Sequence, residues 1–116
     1  MREQQQTLKY VNRIRAACGS SKLDNLPAGN IRSSSDCVIA RALHEINQSV
    51  LVFQEVIQVD DLTFAKIIAE EFGYTSACIG LDNHEEIKMY CVPLPKVMSA
   101  FVEQFDEELY PELVLA

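Results

Sequence analysis

Residues 50–59 read Val-Leu-Val-Phe-Gln-Glu-Val-Ile-Gln-Val and decide the fold class. The stretch is rich in β-branched side chains and contains neither glycine nor proline, which is typical of a β-strand. Its apolar positions fall on both sides of an extended chain, so the pattern predicts one long central strand over residues 49–59. The segments on either side have helical spacing, and the combination indicates an α+β domain.

Two helices and a long loop are predicted before this strand. Apolar side chains recur at spacings of three and four in residues 3–18, and Gly19 follows as a stop signal. A second helix is predicted over residues 36–47, where Asp36 suits the helix start. Residues 20–34 between them are dense in turn-forming residues. The side chains expected to fix this loop to the core are Leu23, Leu26 and Ile31.

Two further helices are predicted after the strand. Asp61 precedes a helical stripe over residues 62–72 and is expected to cap it. Pro95 is expected at the first position of the last helix. That helix has a broad apolar face, and part of it is expected to stay exposed in a monomer. The side chains predicted to form a homodimer seam are Met98, Phe101 and Phe105.

A β-hairpin is predicted around residues 82–86, which read Asp-Asn-His-Glu-Glu. Placing the flanking apolar side chains on one face pairs Leu81 with Ile87 and leaves a five-residue loop. In that register Cys78 and Cys91 point to opposite faces. No disulfide is therefore predicted between these two cysteines.

The resulting order is α-α-β-α-β-β-α, a small three-stranded sheet covered by helices, in a single domain spanning residues 1–116. Hydrophobic residues make up 48% of the chain and charged residues 23%, which excludes a disordered protein. No apolar run approaches the roughly 20 residues of a membrane span, and no export signal begins the chain. We therefore predict a cytoplasmic protein with free thiols and no membrane partner.

Charge is unevenly distributed along the sequence. Residues 1–41 carry seven basic and three acidic side chains, whereas residues 42–116 carry three basic and fourteen acidic ones. A basic face on the first two helices would suit nucleic acid, but the net charge of −11 on residues 42–116 would repel it. The side chains of that face are Lys9, Arg13, Arg15, Lys22, Arg32 and Arg41.

Cys37 is the main candidate for chemistry, because the start of a helix lowers a thiol pKa. His44 lies seven residues on, which separates the two Cα atoms by roughly 10.5 Å along a helix axis. Nucleophilic pairs need about 3 Å between the reacting atoms, so a Cys–His dyad is disfavoured and a buried structural cysteine is favoured. The cysteines and histidines lack zinc-site spacing, and no phosphate-binding or hydrolase motif is present. No metal, cofactor or catalytic residue is predicted.

Three short stretches carry a resemblance. Residues 26–29 (Leu-Pro-Ala-Gly) lead into residues 37–43 (Cys-Val-Ile-Ala-Arg-Ala-Leu), and residues 101–113 contain Phe-Val-Glu-Gln-Phe-Asp and Tyr-Pro-Glu-Leu. This order resembles small uncharacterised proteins of actinobacteria and their phages, although Val38 stands where that family has proline. The resemblance implies a phage or mobile-element setting and no particular activity.

These observations predict a non-enzymatic binding or accessory protein that acts on a protein partner or on itself as a homodimer. The predicted contact residues are Leu23, Leu26, Ile31, Arg32 and Arg41. Two alternatives stay open: a nucleic-acid-associated regulator that uses the basic face, and a thiol-dependent enzyme or redox protein centred on Cys37.

Overall fold

The computed structural model describes residues 2–84 and 86–115 and has the predicted α+β architecture. Helices alternate with the strands of a single antiparallel sheet. The helices are α1 (Arg2–Ala17), α2 (Val38–Leu43), α3 (Leu62–Glu71) and α4 (Lys96–Asp106). The strands are β1 (Leu51–Val52), β2 (Val56–Val59), β3 (Gly80–His84) and β4 (Ile87–Pro93). Short 3₁₀ turns occupy Ser76–Cys78 and Pro111–Leu113.

The segment predicted as one long strand is a hairpin. The Phe53 N–H donates to the Val56 carbonyl (2.8 Å), and Gln54 and Glu55 form the tip. A straight strand of ten residues would be about 33 Å long, close to the 36 Å of the longest axis of the molecule. Folding the segment in two pairs its halves and buries four of its apolar side chains, those of Val50, Val52, Ile57 and Val59. The sheet therefore has four strands in the order β1-β2-β4-β3 rather than three.

One face of the sheet packs into the core. Ile57 pairs with Val92, and both side chains are buried together with those of Val52 and Val59. Helix α3 packs on β2 and β4, and α1 packs in turn on α3 and α4. The side chains of the opposite face are only half-buried in β1 and β2. The sheet thus has one covered face and one partly open face.

The β3–β4 hairpin differs from the predicted register. Leu81 pairs with Tyr90, and Ile87 pairs with His84. The prediction assumed that Leu81 and Ile87 are buried, but they are 56% and 61% exposed, so burial does not set the register. Cys78 lies in the 3₁₀ turn before β3, outside the strand pairing, and all four cysteines are free.

The helix predictions are largely confirmed. Helices α1 and α3 match their predicted ranges within a residue or two, and Asp61 Oδ1 accepts from the N–H groups of Thr63 and Phe64. Helix α4 begins at Lys96, with Pro95 as its N-cap rather than its first residue. Helix α2 is half as long as predicted. After Leu43, hydrogen bonds of the 3₁₀ type follow: the N–H groups of His44 and Ile46 donate to the carbonyls three residues before them.

The predicted dimer seam is part of the monomer core. Met98, Phe101 and Phe105 are each 1% exposed or less. The rings of Phe101 and Phe105 stack with their centroids 6.2 Å apart, and Tyr110 lies 5.0 Å from Phe101. The premise that these side chains stay partly exposed is therefore wrong, because α1 packs on α4 and the Tyr110 ring lies against Phe101.

Among the described residues, no helix has the length and apolar character required to cross a membrane.

Candidate functional site

The loop between α1 and α2 is fixed to the helices as predicted. The Asn12 side-chain amide donates to the Leu23 carbonyl (2.9 Å), and its oxygen accepts from the Leu23 N–H (2.8 Å). Leu26 is buried, and Leu23 and Ile31 pack against the core. These three predicted contact residues therefore act as anchors of the loop and offer little free surface to a partner.

Gly29 joins the loop to two other parts of the chain. Its N–H donates to the Leu113 carbonyl (2.8 Å), and its own carbonyl accepts from the Leu115 N–H (2.9 Å). On its other side, a Cβ at position 29 would overlap the backbone of Cys37 and Val38. The three stretches that carry the family resemblance are thus neighbours in space.

A cleft of about 270 Å³ opens between this loop, the tip of the β1–β2 hairpin and α4. The loop reaches the hairpin because the Ser34 carbonyl accepts from the Val52 N–H (2.8 Å). Phe53 stands at the wall and is 40% exposed, whereas the side chains beneath it are buried. The side chains of the floor are Cys37, Val38, Phe101, Val102 and Phe105. We call this concavity the Arg32 cleft, after the basic residue at its rim.

Arg32 and Asp106 meet at the rim of the Arg32 cleft. The Arg32 N–H donates to Asp106 Oδ1 (2.8 Å), which holds Arg32 in a left-handed backbone conformation with φ of 54°. The Arg32 guanidinium is exposed and makes no hydrogen bond or ion pair with the described residues. The rim therefore presents a free cation above an apolar floor.

Arg41, the other basic residue of the predicted contact region, is already paired. Its Nε donates to Asp36 Oδ1 (2.7 Å), and the Asn30 amide donates to Asp36 Oδ2. The Arg41 hydrogen bond is the main cause that lowers the pKa of Asp36 below its ordinary value. Arg41 therefore holds the loop against the start of α2 and, unlike Arg32, does not offer an unpaired guanidinium to a partner.

Cys37 lines the cleft as a shielded thiol. It is 7% exposed and occupies the N-cap position of α2. Burial raises its pKa, the Asp106 charge adds to the rise, and hydrogen bonds from the Ala40 and Ile39 backbone oppose it. His44 lies at the opposite end of α2, and its buried Nε2 has no hydrogen-bond partner among the described residues. The two side chains stand at opposite ends of α2, and burial favours the neutral thiol of Cys37.

The predicted basic face does not exist as a continuous surface. Arg15 is 1% exposed, and its guanidinium donates to the carbonyls of Ser21 and Ala42 (both 2.7 Å) and to the Glu45 carboxylate (3.4 Å). Arg13 pairs with Glu71 (3.4 Å). The helical spacing of α1 turns Arg15 into the core. Of the six basic residues, only Lys9, Lys22 and Arg32 have no hydrogen bond or ion pair with the described residues.

Sequence reasoning missed two residues of the cleft. Phe53 lies in the segment predicted as one strand. The turn that places it beside a hairpin tip was not predicted, because Gln54 and Glu55 are not typical turn-forming residues. Asp106 accepts a hydrogen bond from Arg32, 74 residues away along the chain, and no local pattern indicates a contact of that separation. Within the described residues, no three His, Cys, Asp or Glu side chains are grouped so as to hold a metal ion.

Comparison with models of protein families, with curated proteins and with solved structures gives no match for this chain.

Proposed function

We propose that this chain is a cytoplasmic, non-enzymatic binding protein that receives a side chain of a protein partner in the Arg32 cleft. The observation that carries the proposal is the free guanidinium of Arg32 above a floor of buried apolar side chains. The phage or mobile-element setting implied by the family resemblance remains a prediction.

The size of the cleft favours a side chain over a cofactor. Sites for drug-sized ligands and cofactors have volumes of about 300–1,000 Å³ and enclose most of the ligand. The Arg32 cleft, at about 270 Å³, is open on one side. A buried aromatic or aliphatic anchor from a partner is the typical occupant of such a pocket at a protein interface.

The charge at the rim of the Arg32 cleft indicates which residue should stand beside the apolar side chain of the partner. Asp106 is engaged by the Arg32 N–H, whereas the Arg32 guanidinium is free to pair with a carboxylate. Phe53 adds an exposed aromatic ring of the kind enriched at interfaces. The partner is therefore expected to supply a large apolar side chain next to Asp or Glu.

Selection from a displayed library of random peptides tests this proposal. Peptides that bind the protein should share an apolar residue beside an acidic one, and Arg32→Glu should weaken them by about tenfold or more. Phe53→Ser should weaken them too. Lys66→Glu, the same charge change on the exposed surface of α3, is the matched control. Peptides that bind all three variants equally would place the contact outside the cleft and overturn the proposal.

The thiol-enzyme alternative is tested separately with iodoacetamide. The shielded Cys37 should stay unlabelled in the folded protein while the exposed Cys78 reacts. Peptide mapping by mass spectrometry assigns the label. Stoichiometric labelling of Cys37 before unfolding would contradict the non-enzymatic proposal.

A further inference from the structure

A second concavity shares no lining residue with the Arg32 cleft. It is a shallow groove of about 400 Å³ between α1 and the start of the loop. We call it the α1 groove, and the residues that line it are Gln5, Leu8, Lys9, Asn12, Arg13, Ala16 and Lys22. Leu8 and Ala16 contribute apolar surface, and the stems of the long basic side chains extend it.

The charge of the α1 groove is positive and largely uncompensated. Lys9 and Lys22 are exposed and make no hydrogen bond or ion pair with the described residues. Arg13 keeps half of its side chain exposed although it pairs with Glu71. None of the described residues that line the groove is acidic. This is a basic surface on a chain whose net charge is −7.

The complementary surface lies at the end of α4. We call Glu107, Glu108 and Leu109 the acidic corner; all three are exposed, and Leu109 is 55% exposed. The two carboxylates make no hydrogen bond or ion pair with the described residues. The acidic corner thus combines two free anions with one free apolar side chain. The α1 groove offers the inverse combination of free cations around an apolar strip.

The two surfaces of one molecule do not meet. The Gln104 amide donates to Glu3 (3.3 Å), so the end of α4 lies over the first turn of α1. Lys9 is about 9 Å further along the helix at 1.5 Å per residue. Lys22 is further still from Glu3, because the next residue, Leu23, is bonded through its backbone to the side chain of Asn12. Pairing between the surfaces therefore requires two molecules.

We propose that the α1 groove of one copy binds the acidic corner of a second copy, with Leu109 on the apolar strip and the two glutamates facing Lys9 and Lys22. The inference stands independently of the Arg32 cleft. Each copy carries both surfaces, so the contact is reciprocal in a closed dimer and repeats in an open chain. Nucleic acid is the less favoured occupant, because fourteen acidic side chains in residues 42–116 would repel phosphates.

Sedimentation velocity over a range of protein concentrations tests the contact. The protein should pass from its 13.1 kDa monomer to larger species as concentration rises, and added salt should shift it back. The double variant Lys9→Glu/Lys22→Glu should weaken self-association by about tenfold or more. The double variant Glu107→Lys/Glu108→Lys should do the same. Lys66→Glu/Lys96→Glu, a matched charge reversal outside the groove, should leave association unchanged.

Mixing the groove variant with the corner variant gives the most decisive test. In Lys9→Glu/Lys22→Glu both surfaces are acidic, and in Glu107→Lys/Glu108→Lys both are basic, so copies of the same variant repel each other. Between the two variants, each groove meets a corner of opposite charge. The mixture should therefore regain the association of the unchanged protein. A monomer at every concentration, or a mixture that stays monomeric, would overturn the proposal. So would salt-sensitive binding of a DNA or RNA oligonucleotide that Lys9→Glu/Lys22→Glu abolishes, since it would assign the groove to nucleic acid.

Discussion

Gly29 lies where the loop, the start of α2 and residues 113–115 meet. An added Cβ would come within 2.5 Å of the carbonyl carbon of Cys37, and backbone cannot move aside as a flexible side chain does. Gly29→Ala should therefore lower the free energy of unfolding by about 2–3 kcal/mol in chemical denaturation. Gly80→Ala is the matched control, because its Cβ would stand 3.7 Å from the nearest atom. Equal stability of the two variants would contradict the close approach.

Thr7 presents the opposite case, a buried group that has no partner. Its side chain is fully buried on the core face of α1, and Oγ1 makes no hydrogen bond within the described residues. Thr7→Val keeps the shape and removes the buried hydroxyl, so the free energy of unfolding should rise by about 1 kcal/mol. Thr63→Val, on the exposed start of α3, should change it little. A loss of stability in Thr7→Val would show that the hydroxyl has a partner after all.

Helices α1, α3 and α4 end in the same hydrogen-bonded turn, but only two of them use glycine. Gly19 and Gly73 have φ of 79° and 86° after α1 and α3, whereas Glu108 takes φ of 63° after α4. The Leu109 N–H donates to the Gln104 carbonyl (3.0 Å), which is the bond that defines this turn. Because a side chain disfavours this conformation, Glu108→Gly should stabilise the protein by about 0.5–1 kcal/mol in thermal or chemical denaturation.

Glu107→Gly is the control for that prediction. Glu107 has an ordinary φ of −86°, so glycine there only adds flexibility to the unfolded chain and should destabilise the protein. A gain in both variants would mean that charge at the end of α4, rather than backbone conformation, sets the effect.

The sequence predicted elements well where one local pattern was sufficient. The stripe of α1 and the Asp61 cap of α3 need only neighbouring residues, and both are confirmed. The hairpin tip at Gln54-Glu55 lacks glycine, asparagine and proline, so local pattern favoured one long strand. The β3–β4 register failed because Leu81 and Ile87, although apolar, are exposed. Apolar character alone does not tell which side of a small sheet the core covers.

Over the whole molecule, the Asp36–Arg41 pair links stability to acid pH. The pKa of Asp36 is lowered in the folded state, chiefly by the Arg41 hydrogen bond, and has its ordinary value of about 3.9 in the unfolded chain. The pair therefore stabilises the fold above about pH 4 and loses this effect as pH falls through the lower, folded-state pKa. Asp36→Asn should weaken the dependence of unfolding free energy on pH in this acid range.

Denaturation curves at a series of acid pH values measure this effect. Asp24→Asn serves as the control, because it removes an exposed carboxylate that makes no ion pair with any residue that the structure describes. Equal acid sensitivity of Asp36→Asn and the unchanged protein would show that the pair contributes nothing to the linkage.

The candidate site was only partly predictable, because its residues come from elements that are far apart in the sequence. The sequence identified Arg32 and Cys37 within one segment, but their neighbours Phe53 and Asp106 come from a hairpin and from α4. Contacts of that separation depend on how the loop closes on residues 113–115 through Gly29, and no local pattern encodes this closure.

The buried guanidinium of Arg15 binds the Ser21 carbonyl, the Ala42 carbonyl and the Glu45 carboxylate at once. If any one of these segments detached, a charge would be left in the core with its hydrogen bonds unmade, at a cost of several kcal/mol. The last turn of α1, the start of the loop and α2 are therefore bound into one cooperative unit. We expect their amides to open together in native-state hydrogen exchange, with a shared free energy, although up to 30 residues separate them along the chain.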